Sequence, residues 1–186
     1  RNSKITLLFV LVLSFMSFTA LTQKEISVEK SQVNWKGYKV TGQHEGTINL
    51  ASGNLIFDGE TLTGGSFIMD MASINTTDLE GEYKGKLDGH LKSADFFGVE
   101  KFPMATLEFV NVSGKEGSYK VQANLTIKET TKSVEFSMTV KENTATASLE
   151  IDRTEYDIKY GSSSFFDGLK DKAIYDNFDL NVSLIF

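Results

Sequence analysis

From Val33 to the C-terminus the chain alternates apolar and polar residues with a period of two, the pattern of strands that turn one face to a core and the other to water. Val121, Ala123, Leu125 and Ile127 alternate with Gln122, Asn124, Thr126 and Lys128. Val134, Phe136, Met138 and Val140 alternate in the same way with Glu135, Ser137, Thr139 and Lys141. Glu129-Thr130-Thr131-Lys132-Ser133 joins the two runs and has hairpin length. Ala145, Ala147, Leu149 and Ile151 carry the pattern on, and Phe178, Leu180, Val182, Leu184 and Phe186 end it. Less regular strands are predicted over residues 33–40, 47–51, 55–57, 67–72 and 105–112, with Ser52-Gly53-Asn54 and Gly64-Gly65 read as breaks. Eight or nine one-sided strands in succession make an all-β antiparallel meander. Such a meander closes into a barrel or stacks as two sheets, because long open edges invite aggregation. Alternation alone leaves both outcomes open.

Between residues 78 and 91 the period changes, with Leu79, Tyr83, Leu87 and Leu91 recurring every four residues as one face of a helix. Gly81, Gly85 and Gly89 share that spacing. Each costs about 1 kcal/mol relative to Ala, so the glycine row is expected to serve close packing. Ser93 is placed to cap a second short turn leading into Phe96-Phe97, and a further excursion over residues 162–172 holds Phe165-Phe166. These helical excursions are expected to cover one end of the sheet.

Phe67, Met69, Met71, Phe109, Phe136 and Met138 fall at inward positions of the predicted strands. A filled core explains them as well as a lined cavity does. Phe96-Phe97 and Phe165-Phe166 lie outside the strands, where alternation does not account for adjacent aromatic pairs, and are read as lining at a barrel mouth.

Composition narrows the function. The 186 residues suit one globular core, and with no Cys the chain has no thiol nucleophile, thiolate zinc site or iron–sulfur cluster. Arg1 and Lys4 precede the apolar run from Ile5 to Leu13, which continues through Phe15, Met16 and Phe18, the pattern of an export signal over residues 1–22 with cleavage after Ala20 or Thr22. The mature domain over residues 23–186 is then expected in the periplasm or secreted. The chain carries a net charge of -6, and without a basic groove to follow a phosphate backbone nucleic-acid binding is set aside.

The catalytic inventory is thin. His44, in the turn-like Gly42-Gln43-His44-Glu45-Gly46, and His90, at the end of the predicted helix, are the only two His residues. Their separation matches no recognised zinc spacing. Gly161-Ser162-Ser163-Ser164-Phe165 lacks the G-x-S-x-G elbow, and Asp152 with Glu155, or Asp176 with Asp179, read best as solvated faces.

Val33-Asn34-Trp35, Thr41-Gly42-Gln43-His44-Glu45-Gly46-Thr47, Met71-Ala72-Ser73-Ile74, His90-Leu91-Lys92-Ser93-Ala94-Asp95-Phe96-Phe97, Val99-Glu100-Lys101-Phe102-Pro103, Leu125-Thr126-Ile127-Lys128 and Ile151-Asp152-Arg153-Thr154 together resemble the YceI-like family of exported, lipocalin-like, polyisoprenoid-binding bacterial proteins. Glu129-Thr130-Thr131-Lys132 departs from that family's Gly-Val-Thr-Lys turn. The resemblance implies an extended eight-stranded antiparallel lipocalin-like barrel without enzymatic activity or cofactor, hollow, and holding an isoprenoid or quinone-like lipid in an elongated apolar tunnel. At roughly 0.3 kcal/mol per heavy atom, a ligand of about 40 carbons would gain about 12 kcal/mol. The ligand-binding set expected on this basis is Trp35, His44, Phe67, Met69, Met71, His90, Phe96, Phe97, Phe109, Phe136, Met138, Phe165 and Phe166. The expected partner is the lipid itself, with transient contact to a membrane surface, and the assembly state, a homodimer included, stays open. Two alternatives remain: a secreted hydrolase or isomerase using His44 or His90, and a solid-cored structural barrel.

Overall fold

A computed structural model describes residues 20–186. Apart from Ala20, Leu21 and Thr22, the expected export signal lies outside the described residues. The strands are β1 (Leu21–Glu25), β2 (Gln32–Lys39), β3 (Gly42–Asp58), β4 (Thr61–Thr76), β5 (Met104–Lys115), β6 (Ser118–Ile127), β7 (Thr130–Lys141), β8 (Thr144–Asp152) and β9 (Ile174–Ile185), with helix α1 (Gly81–Lys92) between β4 and β5. Every pairing is antiparallel. From β2 to β9 each strand pairs with the next, and β9 returns to β2, so eight strands close an up-and-down barrel. Closure removes the sheet edges that the meander would otherwise expose.

The ninth strand is explained by the length of β3. One edge of β3 pairs with β4, while the other pairs first with β2 over residues 42–48 and then with β1 over residues 54–58. β1 therefore continues β2 along the same edge. β7 and β8 pair only beside their turn, Met138 to Lys141 against Thr144 to Ala147. Past that point a 3-10 helix, Arg153–Tyr156, packs on β7 and buries Tyr156 in the widened wall.

Two predicted breaks are not breaks. Gly53 lies inside β3 opposite Phe67, and Gly64 and Gly65 lie inside β4 opposite Ile56 and Leu55. A Cβ on Gly53 would stand 2.6 Å from Cδ1 of Phe67, and one on Gly65 would stand 3.1 Å from Cε2 of Phe109. Gly53 and Gly65 make room for aromatic rings inside the barrel, a use of strand glycine that a single sequence does not distinguish from a turn.

Helix α1 also differs from expectation. It has no fully buried residue, Tyr83 is 74 % exposed, and Gly85 and Gly89 have no neighbour within 4 Å of where a Cβ would stand. Leu91 packs half-buried against the core, and polar contacts fasten the helix beside it: Lys84 Nζ donates to Asn75 Oδ1, Thr76 O and Asp88 Oδ2, and Asp88 Oδ1 accepts from the Thr76 N–H at 2.8 Å. Burial would raise the Asp88 carboxyl, but the bonds from Thr76 and Lys84 outweigh it and hold the group below its ordinary range. Ser93 ends this helix, its Oγ donating to the His90 carbonyl at 2.7 Å, and its own carbonyl accepts from the Phe96 and Gly98 N–H groups in the short turn expected after it. Residues 162–172 form turns and one short 3-10 helix, Lys170–Lys172.

The end of the barrel away from α1 is solid. Rings of Phe67 and Phe109 lie 5.6 Å apart and those of Phe109 and Phe136 5.9 Å apart, with Met138, Leu55, Leu62, Val121 and Leu184 buried around them. Phe57 and Phe186 close the far rim at 5.6 Å.

Candidate functional site

At the α1 end the same inward-facing alternation leaves a cavity of about 290 Å³. Its wall is carbon: Val33 and Trp35 from β2, Ile48 from β3, Met69, Met71 and Ile74 from β4, Ala105 from β5, Leu125 and Ile127 from β6, and Phe178 and Leu180 from β9. Leu87, His90 and Leu91 of α1, with Phe96 and Phe97 from the turn after it, form the roof. Tyr38, Lys39, His44, Tyr175 and Asn177 make up the more polar part of the lining.

The wall is held by local chemistry. Trp35 donates from Nε1 to the Thr47 carbonyl at 3.2 Å. Its indole covers Gly46, where a Cβ would stand 2.5 Å from the ring and 2.0 Å from the Asn75 carbonyl. Ile74 follows Met71 at an interval of three because the strand is irregular there: Asp70 Oδ1 accepts from the Ala72 N–H, and Ser73 Oγ donates to the Asp70 carbonyl. This irregularity turns Met69, Met71 and Ile74 to one cavity.

The polar residues are anchored by separate contacts. His44 lies within β3 rather than in a turn, and its Nδ1–H donates to Asp78 Oδ2 at 2.9 Å. The other carboxylate oxygen of Asp78 accepts from the Glu45 N–H. Burial pushes the Asp78 carboxyl up, yet these bonds hold it below the usual carboxylate value. The His90 ring packs 5.4 Å from Phe96 and 4.5 Å from Tyr160, with Nε2 buried and free of any hydrogen-bond partner. Desolvation lowers its pKa, and the positive charge of Arg153 adds to the effect against the pull of Asp95. The ring is neutral at pH 7.

Arg153, 2 % exposed, also lines the cavity. Its guanidinium donates to the carbonyls of Tyr175 (3.0 Å), Ile158 (2.6 Å) and Ile174 (3.0 Å), faces Asp176 at 3.7 Å and stacks 5.4 Å from the Phe96 ring. It ties the loop between β8 and β9 to the barrel. Among the described residues no three His, Asp or Glu side chains come together where a metal could be held.

Seven of the thirteen expected site residues, Trp35, His44, Met69, Met71, His90, Phe96 and Phe97, therefore meet around one cavity. Phe67, Phe109, Phe136 and Met138 belong to the packed half. Phe165 and Phe166 stand about half exposed on the turn after Gly161, Phe165 beneath the Lys159 ammonium, and neither reaches the cavity. Adjacent aromatics outside a strand are explained there by an exposed turn. Of the lining residues not singled out from sequence, Phe178 and Leu180 were visible as inward positions of the last strand. Arg153 continues the inward parity of Ala145, Ala147, Leu149 and Ile151 and stands in the Ile151-Asp152-Arg153-Thr154 motif, but its contacts are set by the loop between β8 and β9.

A model of the YceI-like domain matches residues 25–186. The chain belongs to the YceI-like family. Solved structures similar to this YceI-like chain include BcnA of Burkholderia cenocepacia, with a TM-score of 0.69 and 19 % identity over 87 % of this chain and 99 % of that one. A polyisoprenoid binding domain from Saccharophagus degradans, implicated in plant cell wall breakdown, aligns with a TM-score of 0.61 and 16 % identity over 89 % and 97 % of the two chains. The Campylobacter jejuni YCEI protein gives 0.53 and 17 % over 96 % and 90 %. At these identities the neighbours establish the shared barrel fold. No functionally curated protein matches the sequence.

Proposed function

We propose that this YceI-like protein is a non-catalytic carrier that holds the tail of an isoprenoid or quinone-like lipid in the α1 end of its barrel. The cavity carries this reading: a closed wall of Trp35, Met69, Met71, Ile74, Leu125 and Phe178 offers a hydrocarbon tail contact on all sides and gives a polar substrate almost nothing to bond. The Saccharophagus degradans neighbour, described as a polyisoprenoid binding domain, supports it. Each polar group of the lining has a place in the reading. His90 Nε2, buried without a partner, is the atom the roof offers to a hydroxyl or carbonyl on the ligand, while His44 and Asp78 hold the chain segments beside the cavity together.

His44 and His90 are read here as part of the lining, not as general bases. In the same proposal the protein is exported by the apolar segment at its N-terminus and meets its cargo at a membrane surface. Mass spectrometry of organic extracts from the purified full chain tests the carrier reading. Isoprenoid or prenylquinone lipid is expected at up to one per chain, and a delipidated protein that takes up neither class contradicts it.

A further inference from the structure

The cavity ends part-way down the barrel. Its lining runs along β2 from Lys39 to Val33, six residue-to-residue steps, or about 20 Å along the strand at ~3.3 Å per residue. Barrel strands tilt by roughly 35–45°, so the depth along the axis is closer to ~15 Å. Below Met69 the next inward residue of β4 is Phe67, and its ring contacts Phe109, which contacts Phe136. Phe67 and Phe136 are 7 % and 9 % exposed, and neither lines the cavity. This row of three rings, reaching from β4 across β5 to β7, fills the barrel one inward position below Met69 and so stands as a floor beneath the lining residues.

The floor sets a length. An isoprene unit advances a chain by four skeletal bonds of about 1.5 Å, or ~5 Å once the zigzag is allowed for. The space therefore takes about three units in extended form along the axis, or about four where the tail follows the tilt of the strands. Volume points the same way, since 290 Å³ falls just below the ~300–1,000 Å³ range of small-molecule sites. A tail of eight units, ~40 Å at ~5 Å per unit, would be more than twice as long as the space.

We infer that the site measures chain length: it encloses an isoprenoid tail of about three or four units, with the Phe67–Phe109–Phe136 row as the stop, and leaves any further units outside. The inference rests on the carrier reading and names its substrate class. Phe67 and Phe136 are the specificity-determining residues, acting by occupying the space a longer tail would need. Leu180, at the deep end of the wall, sets the remaining width.

The test uses the delipidated full chain and all-trans prenols of two, three, four and nine isoprene units, with affinity read by native mass spectrometry. Affinity is expected to rise roughly tenfold with each unit up to about four, and to change by less than about threefold from four to nine. Phe67→Leu, which keeps the site filled enough to fold, moves the plateau to longer prenols, and Leu180→Phe moves it to shorter ones. A rise that continues through nine units, or a plateau that stays put in both folded variants, overturns the inference while leaving the carrier reading intact. Binding of no prenol at any length overturns both.

Discussion

His44 and Asp78 meet through a 2.9 Å hydrogen bond from Nδ1–H to Oδ2, which ties the start of β3 to the segment between β4 and α1. Both side chains are about a quarter exposed, at 27 %, so the pair contributes no more than about 1 kcal/mol. His44→Ala is expected to lower the melting temperature by only a few degrees and to speed ligand release by loosening this segment. Stopped-flow dissociation of a bound prenol checks it. An unchanged release rate would remove His44 from any part in holding the site closed.

His90 gives the fold a pH dependence near neutrality. Its pKa lies below the ordinary 6.5 because burial disfavours the charged ring. Below that ordinary value the unfolded chain takes up a proton that the folded chain refuses, so stability is lost as pH falls from about 6.5 toward the depressed folded value. Asp78 and Asp88 have lowered folded values. Their contribution is therefore present above the ordinary carboxylate value and is lost only in more acid solution. Denaturant titrations between pH 7 and 5 should show the first loss alone, and His90→Phe should abolish it.

Gly46 sits too close to its neighbours for any side chain. Gly46→Ala would drive a methyl to within 2.0 Å of the Asn75 carbonyl and 2.5 Å of the Trp35 indole. The expected cost is about 1–3 kcal/mol, with displacement of Trp35 visible as a shift in its fluorescence. A variant with native stability and an unchanged spectrum would contradict the packing described for the wall.

Phe136→Asp places a carboxylate among the buried rings of the floor and is expected to unfold the domain. Phe165→Ser, on the exposed turn, is expected to leave both stability and ligand affinity within about 0.5 kcal/mol of wild type. Circular dichroism melts of the two variants separate a floor residue from a surface one.

Much of this barrel was legible from alternation alone. The strands ending with Ile127, Lys141, Asp152 and Ile185 follow it nearly residue by residue, because each has one face in the core and one in water. The long β3 and β4 were less legible. Gly53, Gly64 and Gly65 read as turns, whereas Gly53 and Gly65 accommodate the rings of Phe67 and Phe109. The site was half legible for a related reason. Met69 and Phe67 alternate identically on β4, yet one borders space and the other fills it. Alternation reports which way a residue faces, and whether the space it faces is occupied depends on ring contacts between strands far apart in sequence.

Trp35 is the chain's only tryptophan and stands in the cavity wall, so tryptophan fluorescence comes from the site itself. Titrating the delipidated full chain with a prenylquinone of four isoprene units tests the central claim most directly. A saturable quench of Trp35 reaching its end point at one ligand per chain is the predicted result. Fluorescence that stays unchanged, or falls without saturating, at a large excess of ligand would contradict the account.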